Sequence, residues 1–440
     1  LPFRLFRSLD PKTFNRASAQ IALLYLAIAT TIGYVRTPIY GDFSQFYLTG
    51  LIDRAGAYDA LYPIPIPGSV HNAGAMADST IKPALAAIAA AHGVNFTPYH
   101  FILPPPAAPL FWPLGFFPGP AAYMLWLALS VLAGWGVAMI AASTFERCAN
   151  KTTYAAGFVT LLVASTPPMP RAILTGNLTP LVALAIGWVV LCLMDNRHQA
   201  AAAWALTFGL LTKYATAVLL PIPLAQRRWR MLISCAAAAS AWTAIALYVM
   251  GPAPFQEFIH TIAPTLARSH ESCDNISLAG ILLHLLHRTP PLPSVTTHLL
   301  QLAQLLALAL VLIPIARLRQ RMTDPATVAP AALALLTWLL IFSPVSWSHY
   351  LTYLCPLWGW LIWQATQSKP RFMIVTIAIA LQVLTPPQIP VPATDPAGLR
   401  LLLSAALMLT LAIQDLWQKS QPTRAAQSTP RELTIIRAAA

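Results

Sequence analysis

Asp42 is the acid in this chain whose position most needs a physical reason. It lies in Gly41-Asp42-Phe43-Ser44-Gln45-Phe46-Tyr47, just past the first hydrophobic run and ahead of an aromatic, amphipathic stretch that reaches Leu51. An acid near the centre of a membrane span costs about 3 kcal/mol, so one at the boundary asks for a partner or a task. The task that suits it is to accept the proton of a hydroxyl as that hydroxyl attacks a sugar carbon. The plain alternative is an N-cap for a helix beginning at Phe43. Asp53 and Asp59 share the segment and are fallback bases, although the polar sequence around them suits a surface position.

A base of this kind works with a departing anion, and the chain offers cations for one. Lys213 sits between two apolar runs in Gly209-Leu210-Leu211-Thr212-Lys213-Tyr214. It is either a snorkelling lysine or a buried charge that steadies a leaving phosphate. Arg171, in Pro167-Pro168-Met169-Pro170-Arg171, poses the same choice, with Asn177 nearby. His349 follows Trp347 in Ser343-Pro344-Val345-Ser346-Trp347-Ser348-His349-Tyr350. It is either part of an interfacial aromatic belt or a contact to phosphate or sugar hydroxyls, with Trp347 as an apolar platform. His284 and His287 stand three apart, a spacing that can hold a metal, but no third ligand is near. The five cysteines show no CxxC pair and argue against a disulfide framework or zinc site. No phosphate loop, GxSxG elbow, HExxH or dinucleotide fingerprint occurs. Any activated substrate must therefore arrive already in the membrane.

The elements that would position these residues are membrane helices. The chain has 440 residues, 57% hydrophobic and only 9% charged. A soluble chain carries about 25% charged residues. The net charge of +13 does not point to nucleic acid. Its basic residues fall in short clusters between apolar runs, such as Arg227-Arg228-Trp229-Arg230 and Arg317-Leu318-Arg319-Gln320-Arg321, which is the positive-inside pattern. Apolar windows of near-spanning length fall at 18–36, 121–143, 154–168, 178–194, 200–212, 214–226, 231–250, 297–316, 328–343, 349–366, 372–387 and 398–415. These predict about twelve spans with both termini cytoplasmic. The basic N-terminal segment with Arg4, Arg7, Lys12 and Arg16, followed by an apolar run without a small-residue cleavage site, reads as an uncleaved anchor. The proline-rich run 103–118 reads as interfacial or re-entrant, because a full crossing there would invert the charge bias. Two long outer segments result, 37–120 and 251–296, with short helices expected near 43–55 and 74–92 in the first. Loops of that length are uncommon unless functional.

Taken in order, several segments resemble glycosyltransferase family 87, the polyprenyl-phosphate-mannose-dependent α-mannosyltransferases with the GT-C fold. They are Gly41-Asp42-Phe43 with Phe46-Tyr47, Leu61-Tyr62, Pro104-Pro105-Pro106 with Pro113-Leu114, Gly176-Asn177, Gly209 through Lys213 with the following basic loop, and Ser343-Pro344 with Trp347 and His349-Tyr350. Asn275-Ile276-Ser277-Leu278 also looks like an Asn-Gln-Ser-Leu element of that family. The resemblance implies inverting transfer from a lipid-phosphate sugar on the extracytoplasmic face. It places Asp42 at the catalytic aspartate and His349 near the donor phosphate. Two residues depart from the pattern: Asn177 stands where Gln is usual, and Tyr214 follows Lys213 where Pro is usual.

The sequence therefore predicts an all-α polytopic membrane protein with a GT-C fold, about twelve transmembrane helices and two long extracytoplasmic loops carrying short interfacial helices. Residues 1–250 would form the catalytic module, 251–296 the second outer loop, 297–416 the C-terminal helices and 417–440 a cytoplasmic tail. The expected activity moves a sugar, mannose by the resemblance, from a polyprenyl-phosphate donor to a glycolipid or glycan acceptor at the inner (plasma) membrane. Asp42 is the expected base; Lys213, Arg171 and His349 the expected phosphate contacts; and Tyr47, Asn177, Asn275 and Trp347 the expected substrate contacts. Membrane lipids are the expected surroundings, with no nucleic acid, cofactor or metal in the scheme. A transporter or flippase for a lipid-linked saccharide is the competing reading, because it needs the same cavity and cations but no base.

Overall fold

A computed structural model describes residues 10–36, 41–63, 82–94, 101–195, 198–267, 275–286, 292–384 and 397–421. Arg4, Arg7, His287, the proline run at 386–390 and the tail beyond 421 lie outside these residues. Within them the protein is helical. The one pairing of extended backbone is an isolated antiparallel bridge between Asn275 and Trp347.

In chain order the main helices are α1 (Pro11–Arg36), α2 (Phe43–Ala55), α3 (Pro83–Ala91), α4 (Gly119–Ala149), α5 (Tyr154–Ser165), α6 (Pro168–Leu174), α7 (Thr179–Met194), α8 (Gln199–Lys213), α9 (Trp229–Met250), α10 (Leu278–Leu285), α11 (Ser294–Arg317), α12 (Pro325–Phe342), α13 (Trp358–Ala365), α14 (Lys369–Val383) and α15 (Ala397–Ser420). Proline stands in the first turn of several, including α3, α4, α6, α7, α12 and α14, where its missing N–H has no helical partner to lose.

Among the described residues six helices are long and apolar enough to cross a bilayer: α1, α4, α9, α11, α12 and α15. The other six windows of the hydropathy reading are shorter or broken. Helix α5 has 12 residues, α7 16, and α8 and α14 15 each. At 1.5 Å per residue these reach about 18–24 Å, short of a hydrocarbon core of about 30 Å. The window 214–226 is cut by Pro221 and Pro223 into a 3₁₀ turn and the single-turn helix Pro221–Ala225. The window 349–366 divides into the 3₁₀ segment Ser348–Leu357, with Pro356 inside it, and α13. Apolar composition survives these breaks, so a window average does not see them.

Helices α1, α4, α5, α7, α12, α13 and α15 build the packed centre. Helices α9 and α11 lie outside it, and their windows are only 11% and 17% buried. Leu299, Leu302, Leu305 and Leu306 of α11 point outward, as expected where lipid tails supply the apolar surroundings. The run 103–118 is a 3₁₀ helix over Pro105–Phe116, with Pro109 and Pro113 inside it. It lies along α2. The contact is set by Gly50 and Gly115: a Cβ on either would come within about 2.4 Å of the other segment's backbone. Helix α2 ends at Gly56, whose φ of 65° closes the C-cap with N–H bonds from Gly56 and Ala57 back to Asp53 and Ile52.

At the other end of the helices, α13, α14 and α15 meet in a buried polar knot. Asp415 accepts hydrogen bonds from Gln364 Nε2 at 3.1 Å, Lys419 Nζ at 2.6 Å and Arg371 Nη1 at 3.4 Å. Arg371 also donates to Gln364 and Gln418.

Candidate active site

Asp42 occupies the N-cap position of α2, but its carboxylate makes no cap bond. Its own backbone is already helical, at φ −63° and ψ −24°. The first turn is closed by Ser44, whose N–H and hydroxyl both donate to the carbonyl of Gly41. The carboxylate is thereby left to side chains. Gln45 Nε2 donates to Oδ1 at 3.2 Å, and Asn177 Nδ2 donates to Oδ2 at 2.5 Å. Asp42 is half-buried, while α2 behind it is buried from Phe43 to Asp53.

Asn177 reaches Asp42 from 135 residues away because the chain turns sharply at Gly176. That glycine has φ 66°, in the left-handed region, and a Cβ on it would stand 2.5 Å from the Cβ of Phe43. Trp126 Nε1 fixes the turn by donating to the Gly176 carbonyl at 2.7 Å. The amide of Asn177 is only 3% exposed. Its Oδ1 accepts from Lys213 Nζ at 3.1 Å, from Thr179 N–H at 2.9 Å and from the Thr179 hydroxyl.

Lys213 ends α8 because the next residue, Tyr214, is left-handed at φ 53°. A proline, held near −65°, could not stand there. The Lys213 ammonium also donates to the Tyr350 hydroxyl at 3.3 Å and lies 4.4 Å from the Tyr350 ring centroid. Tyr350 is stacked on Tyr353 and meets the edge of His349 at 4.8 Å between centroids. His349 is 7% exposed, and its Nε2 has no hydrogen-bond partner among the described residues. The charges of Lys213 and Arg171 both act on the His349 ring. Arg171 is half-buried on α6, whose carbonyls begin the turn that leads to Gly176.

The structure therefore gathers Asp42, Asn177 and Lys213 directly, with His349 and Arg171 beside them. Burial pushes the Asp42 carboxyl above the ordinary aspartate range; the charge of Lys213 and the Asn177 bond pull against it. A half-buried carboxylate with raised affinity for a proton, flanked by cations, can take a proton while a neighbouring anion departs.

The remaining expected contacts sit differently. Tyr47 is 1% exposed, stacked on Phe43, and its hydroxyl donates to the carbonyl of Phe117. Asn275 stitches its own segment to the stretch 343–347. Its Oδ1 accepts from the N–H of Ser277 and of Ser346, and its Nδ2 donates to the Pro344 carbonyl. Trp347 is half-buried and starts the 3₁₀ segment that carries His349. Asp59 is exposed, as its polar surroundings suggest. Asp53 is not: it is 9% exposed, and neither carboxylate oxygen has a partner among the described residues. Three residues were not singled out from the sequence. Gln45, one helical turn beyond Asp42, carried a readable spacing signal. Thr179 carried none that separates it from neighbouring threonines, and Tyr350 stood out only as part of the His349-Tyr350 pair in the family resemblance.

The sequence model of glycosyltransferase family 87 matches residues 101–344. No curated protein matches the chain. The matched stretch contains Arg171, Asn177, Lys213 and Asn275, whereas Asp42, Tyr47, Trp347 and His349 lie outside it and, Tyr47 and Trp347 aside, join the site through the fold. Matched over more than half its length and built on six helices able to span a bilayer, the chain belongs to glycosyltransferase family 87.

Proposed function

We propose that this protein is an inverting glycosyltransferase that moves mannose from a polyprenyl-phosphate donor to a hydroxyl of a glycolipid or glycan on the extracytoplasmic face of the inner (plasma) membrane. The observation that carries the reading is the half-buried Asp42 carboxylate, separated from the Lys213 ammonium by a single amide. In one step the acceptor oxygen bonds to the anomeric carbon while the bond from that carbon to the phosphate oxygen breaks. The acceptor proton passes to Asp42, and the electron pair leaves on polyprenyl phosphate. Charge builds on that phosphate as the sugar becomes oxocarbenium-like, and Lys213, Arg171 and His349 steady it. Trp347 offers an apolar face beside them. Holding the two substrates against a fixed base supplies much of the acceleration.

In this reading an apolar groove takes the lipid part of the donor. An apolar groove of about 840 Å³ runs between α1 and α5 on one side and α13 and α14 on the other, from Ala155 to Ser165 along α5. It is remote from the Asp42 carboxylate, but Ser165 stands six residues before Arg171. In this reading the later helices complete a lipid-facing groove for a catalytic module formed by residues 1–250.

The test is transfer by the purified, membrane-reconstituted protein from polyprenyl-phosphate [14C]mannose to octyl α-mannoside. Asp42→Asn should retain donor binding and lose turnover. Transfer by Asp42→Asn at the wild-type rate would remove Asp42 from the mechanism. Movement of labelled donor across the vesicle without any glycoside product would instead identify a flippase.

A further inference from the structure

We infer that Asn177, assisted by Tyr350, is a positioning residue that keeps Lys213 from pairing directly with Asp42. The inference rests on Asp42 acting as the base. It replaces the expectation that Asn177 touches substrate, because both ends of the amide are engaged within the protein.

The order of groups is carboxylate, amide, ammonium. Asn177 Nδ2 faces Asp42 at 2.5 Å, and Asn177 Oδ1 faces Lys213 at 3.1 Å. The amide cannot turn round without loss. Its oxygen already takes three donors, from Lys213 and from the N–H and hydroxyl of Thr179. A reversed amide would point N–H groups at all three and its oxygen at a carboxylate, which has no proton to give. Tyr350 holds the other side of the ammonium, through its hydroxyl at 3.3 Å and its ring at 4.4 Å. Lys213 is thus tethered on two sides, neither of them Asp42.

The arrangement has a chemical consequence. An ammonium in direct contact with a buried carboxylate stabilises the anion strongly and makes it a poorer proton acceptor. It also uses up the positive charge that a leaving phosphate needs. An amide between the two passes on part of the attraction and prevents collapse. The other groups around Asp42 are Gln45 on its own helix, and Tyr350, which feels its charge. His349, on the 3₁₀ segment, feels the charges of both Lys213 and Arg171 of α6. Gln45 donates to Asp42 but does not stand between it and Lys213, and among the described residues no acid pairs with Lys213.

The experiment measures kcat/KM against pH for the full chain, with polyprenyl-phosphate mannose and octyl α-mannoside. In Asn177→Leu the lysine closes on Asp42. The acid limb should move to lower pH by about one unit, and kcat should fall about 100-fold with donor KM within about twofold. Asn177→Gln restores an amide with both ends and should bring the limb back to the wild-type position. Tyr350→Phe keeps the ring but releases the hydroxyl tether, and should shift the limb the same way by a smaller amount. An acid limb that stays in place or moves upward in Asn177→Leu overturns the inference, whatever happens to kcat. Should Asn177→Leu not yield a monodisperse protein, Tyr350→Phe decides alone: a downward shift supports the spacer, and an unmoved limb rejects it. Failure of the wild type to transfer at all would sink the proposed function. A working wild type with unmoved limbs sinks only this inference.

Discussion

Two places in this protein bring together a carboxylate, an amide and a cation, with opposite results. At Asp415 the contacts are direct. Lys419, Arg371 and Gln364 all reach the same side chain, and Gln418 and the Ala326 carbonyl complete the cations' bonds. At Asp42 the cation is one amide away, and the carboxylate keeps a half-exposed face. Direct pairing satisfies every group and leaves nothing to react, which suits a lock between α13, α14 and α15. Separation leaves the acid able to accept a proton and the ammonium able to meet an anion. The same three residue types thus give a fastener or a reactive site, and the spacing between them decides which.

Exchanging the two acids for amides is the largest test of that contrast. Asp42→Asn should lower turnover by about 10³-fold or more, because it removes both the proton acceptor and its charge, with thermal stability little changed. Asp415→Asn should do the reverse. It strands two cations that shared one carboxylate and should cost about 2–4 kcal/mol of stability, while the molecules that remain folded turn over at the wild-type rate. Melting curves and initial rates on the same preparations separate the two. A dead Asp415→Asn enzyme at full stability would erase the distinction.

The lysines sharpen it further. Lys213→Met should reduce kcat by about 10²-fold, through loss of charge opposite the leaving group. It should also move the acid limb of kcat/KM upward, since Lys213 is the main influence holding the Asp42 carboxyl down against burial. In the wild type the same limb should already lie above the ordinary aspartate range, because burial is the larger effect. The active form is the deprotonated one, so activity is lost as pH falls through that raised value. A limb at or below the ordinary range would show that water reaches the carboxylate more freely than the packing around α2 allows.

How much of this was legible in the sequence varies with the kind of signal. Asp42, Lys213 and His349 stood out because each is polar at the end of an apolar run, and the structure brings their neighbourhoods together. The α2 helix followed from its aromatic, amphipathic run. The Asp42–Asn177 bond did not, because it spans 135 residues and depends on the left-handed turn at Gly176. The breaks inside the windows 214–226 and 349–366 were not located, because hydropathy averages ignore Pro221, Pro223 and Pro356, which break the helix without lowering the apolar content. Asp53 was read as suited to the surface from the polar sequence around it. Helical geometry says otherwise: at 100° per residue, Asp42, Thr49 and Asp53 fall on one face of α2, and that face is buried at Thr49 and Asp53.

Asp53 supplies the smallest test, and one that separates packing from chemistry. Burial pushes its carboxyl up to about 7, and no partner among the described residues compensates. In an unfolded chain an aspartate titrates near 4. The folded state therefore holds the proton more tightly, and stability falls as pH rises between about 4 and 7, by up to 2–4 kcal/mol if the whole shift is realised. Asp53→Asn removes the charge at the same size. It should raise the melting temperature at pH 8, by roughly a third as much at pH 5, and not at all below about pH 4, with kcat unaffected at pH 5 and pH 8. Equal melting shifts at both pH values would mean that Asp53 is ionised in the fold. The polar face of α2 would then be reached by a cation or by water, and its burial would not set its proton affinity as it does for Asp42.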